Sequence, residues 1–475
     1  MQRASVWSRR STAALAVGFL LTLPAVNTRI HASDEIQNFA YLRSLWFDRD
    51  FSFDNEYRYF VDAGYTRDVG FVTTFLEPVT ETGLRPNYAP IGSAILWAPF
   101  YAIQDVGVRL TRGWATSAPA DGFSPPYLRA ITYASAVYGA IAIGLSIAIA
   151  RQLTGQGVAA ALAVLAGTPL IFYMYAMPGM SHATSAFAVA FFVWIWLRVR
   201  ETWSLGGTAG LAAVGGLMAT VREQDAILVL VPAADYVLSH LRRGHFPVTQ
   251  ALARVVVAGA AFVLAFLPQL LAYRALYDRL GPSKVISGKM HWTAPWAVSV
   301  VASPEHGWFV WTPLAALAIA GLVVLARHVR STQAAARDPA DISGIATLFL
   351  FAVLLEIYVL GSLASWHLAG AFGQRRFVSA TVFLVVGLAA LFAAVAYRRL
   401  LQSLVLTATA LMIWWNIGLA IRFGENTMNR QRLELRSDLY GTFVDLPLRL
   451  PRVAYRYLFD RGSFYQSRGS VPPAK

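Results

Sequence analysis

The 475-residue sequence contains no cysteine, which excludes disulfides, thiolate metal sites and a thiol nucleophile, and leaves the redox compartment undetermined. Any metal would have to be held by His, Asp or Glu. Lysine is nearly absent too: Lys284, Lys289 and Lys475 are the only three, so the formal charge of +14 is almost wholly arginine. Charged residues make up 14% of the chain against 56% hydrophobic residues, and the mean hydropathy is +0.49. That is too little polar material to cover a water-facing globule of this length. The arginines lie in short tracts between long apolar runs, as in the cytoplasmic loops of membrane proteins, so nucleic acid is not an expected partner. No repeat and no low-complexity tract is present.

What is present in quantity is apolar sequence. Eleven runs suit a crossing of the hydrocarbon core, near residues 12–29, 129–150, 158–176, 183–199, 207–221, 225–239, 254–275, 307–326, 343–363, 377–396 and 403–421. The fifth and sixth flank the polar tetrad Arg222, Glu223, Gln224 and Asp225, and each is short for a crossing of about 20 residues. They are one helix or two, and merging them inverts everything downstream. With the split, Arg3, Arg9, Arg10, Arg151, Arg198, Arg200, Arg242, Arg243, Arg327, Arg330, Arg337, Arg398 and Arg399 share one side, which the charge bias makes cytoplasmic. The N-terminus is then cytoplasmic. Basic residues before the apolar stretch Ala13 to Val26 also have the layout of a signal peptide. Pro24 followed by Arg29, His31 and Ala32, without a clear pair of small residues, favours a retained signal anchor.

The expected organisation is a transmembrane unit over residues 1–422 and an arginine-rich extramembrane tail over 423–475, which lands outside in this topology. Residues 30–128 form a long first outer loop, 277–306 a second, and Ser365 to Arg376 a third. About a fifth of the chain, the first loop carries twelve of the 26 acids, interleaved with Phe, Tyr and Trp. Such a composition suits a surface for polar ligands and aromatic stacking.

Asp34 and Glu35 follow the first span. Ile36, Phe39, Ala40, Trp46 and Phe47 recur downstream at helical spacing, which predicts an amphipathic helix lying on the bilayer surface with the two acids at its start. Neighbours on a helix point about 100° apart, so the two cannot share one task. Capping is the plain alternative: Asp34 followed by Gln37 fits a capping box, and first-turn carboxylates suit the helix dipole.

Several further segments carry a resemblance. Residues Asn87 to Phe100 read NYAPIGSAILWAPF; Met180-Ser181-His182-Ala183 opens the fourth span, residues 307–313 (GWFVWTP) the eighth, and residues 372–377 (FGQRRF) precede the tenth. In this order, from residue 12 to about 400, the chain resembles bacterial GT-C membrane glycosyltransferases, the superfamily of the protein O-mannosyltransferases and the aminoarabinose transferases. The family places an acidic pair after its first span and a tyrosine-proline-glycine segment in its first outer loop. The chain departs from the pattern at Ala89, where a second proline is common, and at Asn87, where a basic residue is frequent; Arg85 is the expected substitute.

The resemblance implies an all-α polytopic fold: a GT-C-type bundle of about eleven transmembrane helices whose long first outer loop carries amphipathic interfacial helices. It implies inverting transfer of a sugar from a polyprenyl-phosphate donor, at a periplasmic site in a bacterial inner membrane, to a glycan, lipid or protein acceptor. Nucleotide sugars are not available outside the membrane, which independently favours a lipid-borne donor. The chemistry asks for a carboxylate that takes the acceptor proton and positive charge that steadies the leaving phosphate. Asp34 is the expected base, and Glu35 is expected to orient the acceptor or hold a divalent cation, the one cofactor in question. For the phosphate, Arg375 and Arg376 come first, since guanidinium forks match phosphate oxygens; His182, Arg222, Arg85 and Tyr88 follow, with Lys284 and Lys289 in reserve. Snorkelling to lipid head groups is the ordinary alternative for the arginine pair.

Five histidines, His31, His182, His291, His306 and His367, fall outside in this topology, but no pair has a metal-ligand spacing. Glu356 sits mid-span, where a carboxylate is costly and must face the bundle interior, as a hydrogen-bonded structural acid or as a proton relay. Asp225 and Arg222 are expected to neutralise one another. A secondary transporter or flippase built around Glu356 is the competing function, and a non-catalytic receptor or assembly factor is the third. Sugar and acceptor identity cannot be read from these residues.

Overall fold

A computed structural model describes residues 9–66, 69–115, 117–242, 244, 246–327, 339–367 and 370–460. Arg3, Asp68, Arg243, Arg330, Arg337 and Lys475 lie outside the described residues. The chain is 75% helical, and among the described residues the only β element is one isolated antiparallel bridge between Met290 and Leu363. Among the described residues six helices are long and apolar enough to cross a membrane: Pro125–Thr154, His182–Val199, Val248–Tyr277, Ala340–Gly361, Arg375–Val395 and Arg399–Glu425. Shorter apolar helices cover Ala14–Ala25, Val158–Gly167, Leu205–Val221 and Pro313–Arg327.

The polar tetrad breaks the helix. Leu205–Val221 ends at Arg222, whose backbone is extended at φ −150 and ψ 115; a 3-10 turn over Glu223–Val229 follows, and Leu230–Arg242 continues. The two arms double back on one another, because the Trp203 ring at the foot of the first meets Tyr236 of the second at 5.2 Å. At that foot, Arg200 is paired with Asp235 at 2.7 Å and Asp341 at 2.5 Å, joining three helices. Arg222 sits at the opposite end.

The first loop is not an open polar surface. Its aromatic residues form a core of their own, in which Phe39, Phe53, Tyr57, Phe60, Trp97 and Tyr101 are wholly buried. Four of its acids are paired inside it: Asp48 and Glu56 with Arg43, Asp54 with Arg58 and Arg85, Asp105 with Arg109. This corrects the expectation of a ligand-facing aromatic surface, since those rings serve the loop's own packing.

The Ser33–Arg43 helix also differs from expectation. It does not lie on a surface: every residue from Glu35 to Arg43 is buried, between the aromatic core and the bundle. The exposed apolar stripe belongs to the Gly92–Thr111 helix, through Ile95, Ile103, Val106 and Leu110. In the tail, the Leu446–Phe459 helix exposes Leu448, Leu458 and Phe459 and ties back to the first helix by a Tyr457 hydroxyl donating to the Ala25 carbonyl at 2.9 Å.

Candidate functional site

The acidic pair divides its work. The helix starts at Ser33, so its N-cap is Ala32, which has no side-chain acceptor, and Glu35 three residues on supplies the missing oxygens. Glu35 Oε2 accepts the backbone N–H groups of His31 and Ala32 at 3.2 and 3.1 Å, and Oε1 accepts Gly179 N–H at 3.2 Å. A Cβ at Gly179 would lie 3.0 Å from the Glu35 Cβ, so this close approach suits glycine. The capping role expected of Asp34 with Gln37 is thus filled by Glu35. Glu35 is fully buried among N–H donors. That setting repels a cation and closes the carboxylate to an acceptor, so the assignments as acceptor guide or metal ligand do not fit. Among the described residues no group of three His, Asp or Glu converges on a metal position.

Asp34 is left free to face outward from the helix start. Its side chain is 43% exposed, and Oδ2 lies 2.8 Å from Arg375 Nη1. Arg375 is presented by a tightly fixed turn. The Tyr173 hydroxyl donates to the Phe372 carbonyl at 2.9 Å, Gly373 takes φ +61 where a Cβ would strike Pro169 at 2.7 Å, and Gln374 Nε2 donates to the His306 and Trp366 carbonyls, both at 3.0 Å. Arg376 turns the other way, onto the Ser365 carbonyl and hydroxyl at 3.0 and 3.3 Å.

Arg222 completes the cluster. Its Nη1 donates to His182 Nδ1 at 2.9 Å and Ser181 Oγ at 3.3 Å, and Nη2 to Gln224 Oε1 at 3.0 Å, while buried Nε has no partner. Gln224 Nε2 in turn donates to the Arg376 carbonyl at 3.2 Å. With Nδ1 accepting, the His182 ring is neutral and carries its proton on Nε2. The ring lies against Tyr173, 4.4 Å between centroids. Arg222, Arg375 and Arg376 are close enough to repel one another, and all three act on His182. Arg375 thus pairs directly with Asp34, and Arg222 and Arg376 act on it within electrostatic reach, an arrangement that favours an oxyanion.

The chain matches no protein-family model and no curated protein. What can be said of its chemistry rests on these side chains.

Other expected residues stand elsewhere. Arg85 is committed to Asp54 at 2.8 Å and to the Glu77 carbonyl at 3.1 Å. Tyr88 donates its N–H to Gln37 Oε1 at 2.8 Å and rests its ring on Phe75, away from the arginines. Lys284 and Lys289 are exposed on the segment between Tyr277 and His306. The histidines do not gather: His31 approaches Glu35 at 3.6 Å, His291 meets Trp296, His306 stacks on Trp311 and His367 meets Trp366. Asp225 accepts from Ser185 Oγ at 2.6 Å and feels Arg222 only at longer range, so the expected ion pair is replaced by a hydrogen bond. Glu356 accepts from Ser379 Oγ at 3.0 Å, and its Oε2 is buried without a partner. The sequence offered no signal for the role of Gly179, whose value depends on a carboxylate 144 positions away.

Proposed function

We propose that the protein is an inverting membrane glycosyltransferase of GT-C type that takes a sugar from a polyprenyl-phosphate donor on the periplasmic face of a bacterial inner membrane. The observation that carries this reading is the 2.8 Å contact between half-exposed Asp34 and Arg375, beside Arg222 and Arg376. A phosphate competes with Asp34 for Arg375, so donor binding frees the carboxylate. Asp34 then takes the proton of the acceptor hydroxyl as its oxygen attacks the anomeric carbon. The bond from that carbon to the phosphate oxygen breaks, and the electron pair leaves on the phosphate, steadied by the guanidinium groups and by His182 Nε2–H. A phosphate leaves as an anion, so no strong general acid is required.

In this reading the chain crosses eleven times: the six long helices, the four shorter apolar ones and the return arm through Leu230–Arg242. The Arg200 foot is cytoplasmic, the Asp34 end is periplasmic, and the Gly92–Thr111 stripe lies in the interface. The acceptor is an envelope glycan, lipid or protein. The test is mass spectrometry of envelope glycans from cells with and without the protein, complemented by wild type or Asp34→Asn. One missing sugar, restored by wild type alone, supports the reading. Full restoration by the variant removes Asp34 from the mechanism.

The unpartnered Oε2 of Glu356 favours a second reading, a transporter or flippase with a proton-carrying acid. Its signature is loss of function in Glu356→Gln with function kept in Asp34→Asn.

A further inference from the structure

Arg222 has an extended backbone, so Arg222 and Glu223 leave the chain in different directions. Arg222 goes to His182, whereas Glu223 goes to Tyr273, whose hydroxyl donates to Oε1. Glu223 keeps accessible surface, and among the described residues its Oε2 has no protein partner. The Tyr273 ring lies 6.5 Å from that of Tyr277, which is linked through Asn87 to the Gln37 carbonyl, one helical turn before Tyr41; Tyr41 is 1% exposed, and its hydroxyl likewise has no hydrogen-bond partner among the described residues. The Tyr41 and Tyr277 hydroxyls both lie within electrostatic reach of the Glu223 carboxylate.

This second polar centre is connected to the first. Tyr41 stands seven residues after Asp34 on the same helix, which places the two on one face, roughly 10 Å apart along the axis. Asn38 lies between them on that face, and its buried Oδ1 has no partner. The wall is held in place from outside: Tyr277 OH donates to the Asn87 carbonyl at 2.6 Å, and Gln269 Oε1 accepts Ile91 N–H at 2.8 Å. Buried polar atoms without partners are costly and call for an occupant that hydrogen-bonds. A carboxylate oxygen accepts hydroxyl protons, phenols donate and accept, and aromatic faces cover C–H surface, which together fit a polyhydroxylated ring.

We propose that Glu223 and Tyr41 form a hydroxyl-recognising subsite that holds a sugar ring beside the Asp34 and Arg375 centre. The inference rests on the glycosyltransferase reading and adds to it the residues that choose the sugar. Glu223 and Tyr41 are positioning residues: they touch ring hydroxyls and take no part in the proton transfer. The ring belongs to the donor or to the acceptor, and the chemistry of recognition is the same for both.

The test uses the full chain in lipid nanodiscs and three probes: farnesyl phosphate, farnesyl-phosphate esters of a panel of hexoses and pentoses, and the matching methyl glycosides. Wild type is expected to bind at least one sugar-bearing probe more tightly than its sugar-free counterpart. Glu223→Gln and Tyr41→Phe are expected to weaken that probe by roughly 10- to 100-fold while leaving farnesyl phosphate unchanged. Loss confined to the esters assigns the ring to the donor, and loss confined to the glycosides assigns it to the acceptor. Both support the subsite. Retention of the sugar preference in both variants, with farnesyl phosphate lost in Arg375→Ala, overturns the subsite and leaves the proposed function standing. A wild type that binds no farnesyl phosphate overturns the proposed function, and the subsite with it. Thermal unfolding of both variants, with Tyr273→Phe as a control for the local packing, separates recognition from misfolding.

Discussion

Glu35 Oε1 accepts the backbone N–H of Gly179 at 3.2 Å, so the carboxylate that caps one helix also anchors the loop ahead of His182. An amide in place of this carboxylate can serve the two donors on one side only, and its NH2 then meets the third N–H head-on. Glu35→Gln is expected to cost about 1–3 kcal/mol, the penalty of a buried unsatisfied donor, read as a lowered unfolding temperature in detergent. Gly179→Ala presses on the same side chain, 3.0 Å from its Cβ and 3.1 Å from Oε1, and is expected to act in the same direction. Unchanged melting in both would show that the cap is not held this way.

Arg375 is expected to be irreplaceable by lysine. An ammonium keeps the charge and the pairing with Asp34 but loses the planar fork that grips two phosphate oxygens. Arg375→Lys should weaken farnesyl phosphate by about tenfold, the scale of one lost charged hydrogen bond, without a change in unfolding temperature. Equal binding by calorimetry would move the phosphate elsewhere.

Two groups outside the spans make opposite contributions to the pH dependence of stability. Glu56 is buried, and burial pushes its carboxyl up from 4.5 to about 7, with Arg43 opposing the rise. Its contribution is fully present below pH 4.5 and is lost as pH rises through 7. His306 is pushed down by burial from 6.5 to about 4, so its contribution is present above pH 6.5 and lost as pH falls through 4. Each amounts to about 3 kcal/mol at most, so between pH 4.5 and 6.5 the two nearly cancel. Wild type should therefore melt at a nearly constant temperature over that window. Glu56→Gln should melt progressively higher as pH rises across it, and His306→Phe progressively lower. Parallel profiles for the three proteins would contradict these assignments.

Arg422 and Asp438 form a buried pair at 2.9 Å, with Arg422 also donating to the Asp438 and Thr427 carbonyls at 3.1 Å. Arg422→Ala leaves Asp438 buried and unpaired, an expected loss of about 3–5 kcal/mol. The double change Arg422→Met with Asp438→Leu is expected to recover most of it, because both charges then go together. Chemical unfolding of the single and double variants checks the sign and the recovery.

Hydropathy made the long helices readable, since about 20 apolar residues in succession have few alternatives. Segment order singled out Arg375, Arg376 and His182, and the structure makes them neighbours of Asp34, Gln224 and Arg222 in turn. What local pattern left ambiguous was decided by partners far away in sequence. Local pattern pointed to Asp34 with Gln37 as the helix cap; Glu35 takes that role instead, because the backbone at His31, Ala32 and distant Gly179 donates to it. The polar tetrad at 222–225 did not reveal whether the chain turns back; the meeting of Trp203 with Tyr236 settles it as a hairpin. Acids in the first loop looked available until their arginine partners were placed. Arg85 was misjudged for the same reason, since Asp54 claims it.

The hydroxyl of Tyr457 on the Ala25 carbonyl has a consequence for biosynthesis. The polypeptide leaves the ribosome from its beginning, and the residues just ahead of Asp34 are among the earliest made. Their clasp arrives 432 positions later. Until then the opening segment has its contacts with Tyr175 and Ala176, through Thr22 and Asn27, but not this one. Maturation of the Asp34 end is thereby coupled to completion of translation, and a nascent chain stalled short of residue 457 would present its first helix unclasped.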